Sequence, residues 1–215
     1  MKDSKGEFFD ANNPVPKALA QWRQLERARI LKLRSELSLT TRQDMDQAIG
    51  EKLDTVLGDV HGRVCSLYWP FRGEPDLLQW MGTLVLRGGI VALPVVIQKK
   101  QPLAFYTWSP GEKLEPGIWN IPVPVDGSAV IPSVVIAPLV GFDQALFRLG
   151  YGGGFFDRTL ASFPHKPLVI GVGYELGRLA TIFPQPYDIP MDIIITPDHI
   201  YRPEAGITDK SIRNP

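Results

Sequence analysis

One cysteine, Cys65, stands in 215 residues. A single thiol forms no internal disulfide, and metal sites built on paired cysteines are excluded with it. Cys65 lies in Val64-Cys65-Ser66-Leu67-Tyr68, a run of strand character, so a buried, unreactive thiol is expected. Histidine is also scarce. His61, His165 and His199 are far apart, and no Ser/His/Asp order or nucleophile elbow accompanies them. Surface or packing roles are expected for all three. Net charge is absent, with 23 basic residues against 23 acidic ones. That argues against nucleic acid as the main partner, because phosphate backbones demand a basic excess or stripe. Long apolar runs are missing as well. The stretch 89–97 is too short to span a bilayer, and Pro94 interrupts it, so no membrane association is expected. The first sixteen residues hold no apolar core of the secretory type, which makes the cytoplasm the expected location.

What is present is globular: 44% of the residues are hydrophobic, enough for a sizeable core in a chain of this length. Residues 1–16 are polar, end in Asn12-Asn13-Pro14-Val15-Pro16, and read as a disordered arm. The domain is expected over 17–200, and 201–215 as a loose tail. From Lys17 to Leu37 the pattern is helical, with Leu19, Trp22, Leu25 and Ala28 or Arg29 as its apolar stripe. Thr41 with Asp44 resembles a capping box that opens a second helix, striped by Met45, Ile49, Leu53 and Val56 and stopped by Gly58. Strands are expected over 64–69, 90–97, 103–108, 130–140, 168–174 and 192–196, and further helices over 76–86 and 154–162. Residues 109–129, rich in Pro and Gly, read as loop. Short apolar runs separated by helices predict a single α/β domain. Its sheet is twisted and mostly parallel, with helices on both faces in a Rossmann-like three-layer arrangement.

The informative stretch runs from Gly141-Phe142-Asp143 to Arg148-Leu149-Gly150-Tyr151-Gly152-Gly153-Gly154-Phe155-Phe156-Asp157-Arg158. It follows a strong strand and precedes a helix, where open α/β sheets bind ligands. Glycines let backbone N–H groups approach an anion, and a helix N-terminus adds partial positive charge. Arg148 can give a phosphate two parallel hydrogen bonds, and Asp157 offers a hard oxygen to Mg²⁺. Neither a P-loop nor a dinucleotide fingerprint occurs. On residues alone, an anion-binding loop and a plain flexible connection both stay open.

The same stretch resembles the signature of the 5-formyltetrahydrofolate cyclo-ligase (methenyltetrahydrofolate synthetase) family, R-L-G-[YR]-G-[GK]-G-Y-Y-D. Phe155 and Phe156 replace its usual Tyr-Tyr, which keeps ring stacking and loses the hydroxyls. The resemblance runs from about residue 20 to residue 197. It implies that Arg23, Arg27, Arg148, Gly150, Gly152, Gly153, Gly154, Phe155 and Phe156 bind ATP. Arg23 stands where the family usually has Lys. The i, i+4 spacing of Arg23 and Arg27 puts both on one helix face. The resemblance also implies that Trp69, Glu74, Trp119, Tyr151 and Phe155 bind folate, that Arg148 and Tyr151 are catalytic, and that Asp157 and Asp188 hold Mg²⁺. For Glu74 a helix-start carboxylate, and for Trp119 plain core packing, are the competing structural readings.

The implied reaction turns 5-formyltetrahydrofolate and ATP into 5,10-methenyltetrahydrofolate, ADP and phosphate, with the two substrates as the only expected partners of a monomer. Two other readings fit the same residues. One is a related enzyme acting on another small molecule. The other is a module that binds folate or nucleotide without turnover.

Overall fold

The computed structural model describes residues 17–203, so the expected arm at 1–16 and residues 204–215 of the expected tail lie outside the described residues. The apolar runs become strands β1 (Val64–Ser66), β2 (Ile90–Val95), β3 (Ala104–Thr107), β4 (Leu114–Pro116), β5 (Pro122–Pro124), β6 (Val134–Pro138), β7 (Gly141–Phe142), β8 (Arg148–Leu149), β9 (Leu168–Val172), β10 (Ile193–Ile195) and β11 (Ile200–Tyr201). The helices are α1 (Lys17–Ser35), α2 (Leu39–Leu57), α3 (Leu78–Leu86) and α4 (Phe155–Ser162). Seven strands form one sheet in the order β11-β10-β9-β6-β1-β2-β3. The five central strands are parallel, and β3 and β11 run antiparallel at the two edges.

Residue alternation on the inner strands sorts two cores. Val134, Ile136, Ile170, Val172, Ile193 and Ile195 pack with Ile49 and Leu53 of α2 and with Met81 and Leu84 of α3. Ala137, Val169 and Ile194 form the opposite core, against Phe156 and Leu160 of α4. Helices therefore cover both faces, as expected. Strands buried on both sides need apolar residues at every position, which is why β6 reads Val-Val-Ile-Ala-Pro without a polar alternate. Each fully buried side chain such as Ile136 contributes about 1.5–3 kcal/mol. Cys65 is buried among them, and burial pushes its thiol up from the ordinary value.

Four local expectations are corrected. The stripe assigned to α1 fails at Leu25, which is 62% exposed. The buried face is instead Leu19, Arg23, Ile30 and Arg34, because the groups it meets are largely carbonyls and carboxylates. Ser38, not Thr41, caps α2, its Oγ accepting from Thr41 N at 3.0 Å. Residues 109–129 are not all loop, since β4 and β5 pair as a two-stranded ribbon. The strand expected from Val130 starts at Val134, because Val130 N is drawn off to Phe105 O.

Glycine permits one close approach that matters for the site. A Cβ on Gly177 would stand 2.5 Å from Val140 O and 3.2 Å from Gly141 Cα, both backbone and neither free to move. This contact seats the segment after β9 against the start of β7. Gly177→Ala is expected to destabilise the protein by at least about 2 kcal/mol in urea unfolding. Gly82→Ala in α3 would place its Cβ an ordinary 3.6 Å from Pro110 Cγ. That change is expected to be neutral or stabilising by up to about 1 kcal/mol, since alanine is the better helix former.

Candidate active site

Arg148 reaches the site on a hairpin that Asp143 holds. Asp143 is buried between β7 and β8. Its Oδ1 accepts from Ala145 N and Phe147 N, each at 3.1 Å, and its Oδ2 from Ile182 N at 2.9 Å. Leu146 takes a left-handed backbone (φ 64°) to close the turn. The Gly-Phe-Asp element is thus a brace that fixes where the next strand begins.

From that strand Arg148 Nη2 meets Asp157 Oδ2 at 3.0 Å, at the N-terminus of α4. The face of Phe156 lies 5.0 Å from the Arg148 guanidinium, and Phe156 itself packs into the second core. Asp157 Oδ1 accepts from Ile189 N at 3.3 Å, which brings in the neighbouring carboxylate, Asp188. Asp188 Oδ2 accepts from Gln185 N at 2.7 Å and pairs with Arg23 Nη2 at 2.6 Å. Arg23 also donates to the carbonyls of Ile182 and Phe183, at 3.1 and 2.8 Å. One turn along α1, Arg27 Nε donates to Gly150 O at 2.6 Å. Arg23, Arg27, Arg148, Gly150, Asp157 and Asp188, remote in sequence, form one connected group.

The charge balance of this group favours an anion. Three guanidiniums face two carboxylates. Burial lowers the Arg27 guanidinium from its ordinary value, Arg23 lowers it further, and Asp188 alone opposes. Burial likewise lowers Arg148, with Asp157 and Asp188 opposing. A phosphate would relieve both. The glycine loop leaves room for these groups. A Cβ on Gly150 would stand 2.7 Å from Arg148 Nη1, and Gly152 (φ 94°) lies against the Arg27 guanidinium. Gly153 O accepts from Arg158 at 2.5 Å, and Gly154 closes the loop in a left-handed conformation as the N-cap of α4. Among the described residues, the backbone N–H groups of 150–154 find no protein acceptor.

A second group of side chains adjoins the first. Glu74, 5% exposed, follows β1, and its Oε2 accepts from Phe71 N at 2.9 Å. Tyr151 of the glycine loop donates to Phe71 O at 3.3 Å, packs edge-on against the Phe71 ring, and interacts with the Glu74 carboxylate. The loops after β1 and after β8 are thereby joined. Burial pushes Glu74 up to about 7, against the Phe71 N–H, the Arg34 charge and the Tyr151 hydroxyl. Burial and Glu74 push the Tyr151 phenol well up, so it stays a protonated donor at neutral pH. The Phe71–Asp76 segment is pinned by Tyr68, whose hydroxyl donates to Pro75 O at 2.9 Å.

The remaining expected residues divide. Trp119 is 61% exposed, on a left-handed backbone (φ 57°), with its ring edge-on to Phe155 at 5.9 Å; core packing is thereby ruled out for it. Trp69 is half-buried and packs edge-on against Trp108 at 6.0 Å, not against another residue of the group. Asp192 is structural, bonding Lys166 Nζ and Val169 N. The histidines are exposed. Sequence reasoning missed Phe71, Tyr68, Tyr174 and Arg34. Arg34 alone left a signal: it lies seven residues after Arg27, on the same face of a 3.6-residue helix.

The fold and site define an α/β domain of the kind that handles anionic ligands at the carboxyl ends of its strands. The model of the 5-formyltetrahydrofolate cyclo-ligase family matches residues 19–197, and the chain belongs to that family. It is 28% identical to the 5-formyltetrahydrofolate cyclo-ligase of Haemophilus influenzae over 185 residues, 81% of this chain and 98% of that protein. With the Escherichia coli K12 protein of the same name it shares 30% over 175 residues, 78% of this chain and 96% of that one. The fold is similar to the NMR structure of Aquifex aeolicus 5,10-methenyltetrahydrofolate synthetase, with a TM-score of 0.73 at 28% identity, covering 86% of this chain and 95% of that one.

Glu74 and Asp46 give a pH-dependent stability. Asp46 is pushed up to about 6 by burial, against the bonds from Asp76 N and the Tyr174 hydroxyl. Both carboxyls bind protons more readily when folded than when unfolded, so stability is fully present below about pH 4 for these groups and is lost as pH rises through 6 to 7. Glu74→Gln keeps an acceptor for Phe71 N and removes the buried charge. It is expected to raise stability at pH 8 by on the order of 1–3 kcal/mol and to change it little at pH 4, measured by urea unfolding at both values.

Proposed function

We propose that the chain catalyses the ATP-dependent conversion of 5-formyltetrahydrofolate to 5,10-methenyltetrahydrofolate, with release of ADP and phosphate, as a cytoplasmic monomer. The observation that carries the reading is the junction of two side-chain groups: the arginine, glycine-loop and carboxylate group meets the Glu74 loop through Tyr151. A site for phosphoryl transfer onto a second small molecule needs that adjacency.

The formamide carbonyl of the substrate is a weak electrophile and its oxygen a poor leaving group. Attack of that oxygen on the γ-phosphorus of ATP expels ADP and leaves an iminium phosphate. N10 then attacks the formyl carbon, loses its proton, and phosphate departs to give the methenyl bridge. No protein nucleophile is required. Arg23 and Arg27 clamp the triphosphate from α1. Arg148 and the loop N–H groups face the transferring phosphoryl group, where a donor in a dry site acts most strongly. Glu74 accepts N–H donors of the pterin. Tyr151 spans both groups and fixes their spacing, and Trp119 with Phe155 offers an aromatic wall. Asp157 and Asp188 fit Mg²⁺, since two neighbouring carboxylates beside a phosphate loop are the usual protein share of such a site. Bound there, the ion would neutralise phosphate charge. Phe156 meets Arg148 through its ring face, so the missing tyrosine hydroxyl is not part of that contact.

Absorbance of the methenyl product on mixing the protein with 5-formyltetrahydrofolate and Mg-ATP is the direct test. Activity is expected to vanish with excess chelator. Arg148→Ala is expected to cut turnover by roughly 10²–10⁴-fold, the loss of two charge-assisted bonds that strengthen in the transition state. Arg148→Lys should not restore it, because a point charge lacks the fork. More than about a tenth of the wild-type rate in Arg148→Ala at saturating ATP would remove the loop from the mechanism.

Trp119→Ala is expected to weaken folate binding by about 1–3 kcal/mol, as for loss of a stacking face, and to leave ATP binding unchanged. Because the ring is exposed, the melting temperature should stay put. Equal losses for both ligands would count against a pterin wall.

A further inference from the structure

Arg34 has no part in the reaction as derived above, yet it is 1% exposed. Its Nη2 donates to Leu139 O at 2.8 Å. Its Nε and Nη1 are buried and find no acceptor among the described residues. The guanidinium lies 5.6 Å from the centre of the Tyr174 ring. A buried cation with two such nitrogens unanswered and no paired carboxylate costs several kcal/mol. Bonding one carbonyl is a small return for that cost. The Glu74 loop lies directly against it: a Cβ on Gly73 would stand 3.5 Å from both Cγ and Cδ of Arg34. Its charge acts on Glu74, Tyr151, Tyr68 and Tyr174 together.

We propose that Arg34 is a positioning residue of the substrate site: without touching folate, its buried guanidinium packs against the Glu74 loop and favours the charged carboxylate that accepts the N–H donors of the pterin. The inference rests on the folate reading given above. A carboxylate accepts two adjacent donors, whereas a protonated acid spends one oxygen as a donor itself. Burial drives Glu74 towards the neutral form. Against this stand the Phe71 N–H, Arg34 and the Tyr151 hydroxyl, of which Arg34 alone carries a full charge. The other groups nearby are Arg72, Asp46, Arg42 and Tyr68, and Arg42 Nε is also buried without an acceptor among the described residues. Arg72 lies over the Phe71 ring, and Asp46 accepts from the Tyr174 hydroxyl at 3.0 Å. Arg42, whose Nη1 would stand 3.5 Å from a Gly73 Cβ, acts electrostatically on Asp46. Tyr68 is tied to Pro75 O.

Two measurements separate this inference from the folate reading. The first needs no ligand: the Glu74 carboxyl is titrated by ¹³C NMR in the wild type, in Arg34→Met and in Arg34→Lys, with Glu74→Gln assigning the signal. The wild-type midpoint is expected near 7. Arg34→Met should raise it by about one pH unit, and Arg34→Lys should restore most of the difference. The second is equilibrium binding of 5-formyltetrahydrofolate and of ATP from pH 6 to pH 9. Arg34→Met should weaken folate binding about tenfold at pH 6.5 and less than about twofold at pH 9, with ATP binding unchanged, as a one-unit shift requires. In Glu74→Gln the pH dependence of folate binding should disappear, and Arg34→Met should add none. A merely structural arginine would weaken both ligands equally at every pH, and that result overturns the proposal. So does an unmoved Glu74 midpoint in Arg34→Met and Arg34→Lys. Failure of the wild type to bind folate at any pH, with the Glu74 midpoint moving as expected, overturns the substrate reading and the pterin half of the proposal with it.

Discussion

A guanidinium taken out of water is costly unless acceptors meet it, and α1 carries Arg23, Arg27 and Arg34 on or beside its inward face. That demand shapes the protein around them. Arg23 takes two carbonyls and Asp188; Arg27 takes Gly150 O; Arg34 takes Leu139 O. Each acceptor belongs to an irregular segment beyond the central strands, so docking α1 orders the turns that bear the site. Hydrophobic burial supplies most of the folding energy through α2, α3 and α4, while α1 converts part of it into the placement of charge.

The two side-chain groups carry opposite charge balances. Around the glycine loop, cations outnumber carboxylates and burial destabilises the charged arginines. Around Glu74, burial destabilises a single carboxylate. Tyr151 links the two as a phenol that remains a donor.

Rigid and glycine-bearing parts are apportioned to match. Asp143 fixes the hairpin that carries Arg148, so this arginine stands on a braced strand. The glycines follow, where backbone must pass close to guanidiniums. Trp119 stands apart from the sheet on the ribbon of β4 and β5, exposed and on a left-handed backbone. Among the described residues, no helix is long and apolar enough to cross a membrane.

Much of this was legible in the sequence. The central strands, the four helices, the stripe of α2 and the two-sided sheet follow from local periodicity, which depends on near neighbours in the chain. The stripe of α1 was misread because apolar spacing was taken as the sign of burial, and this helix buries arginines that find their acceptors far along the chain. The ribbon at 114–124 was hidden by proline and glycine, which mark turns and say nothing of pairing across them. Only the tertiary structure could decide that Trp119 is exposed, that Asp157 and Asp188 are neighbours, that Tyr151 joins two loops, and that Arg34 lies against Glu74. The sequence by itself determined which chemical groups exist and which faces carry them. The distances among those groups, and hence their charge states, were set by long-range packing, because desolvation and Coulomb interactions depend on separation in space and not along the chain.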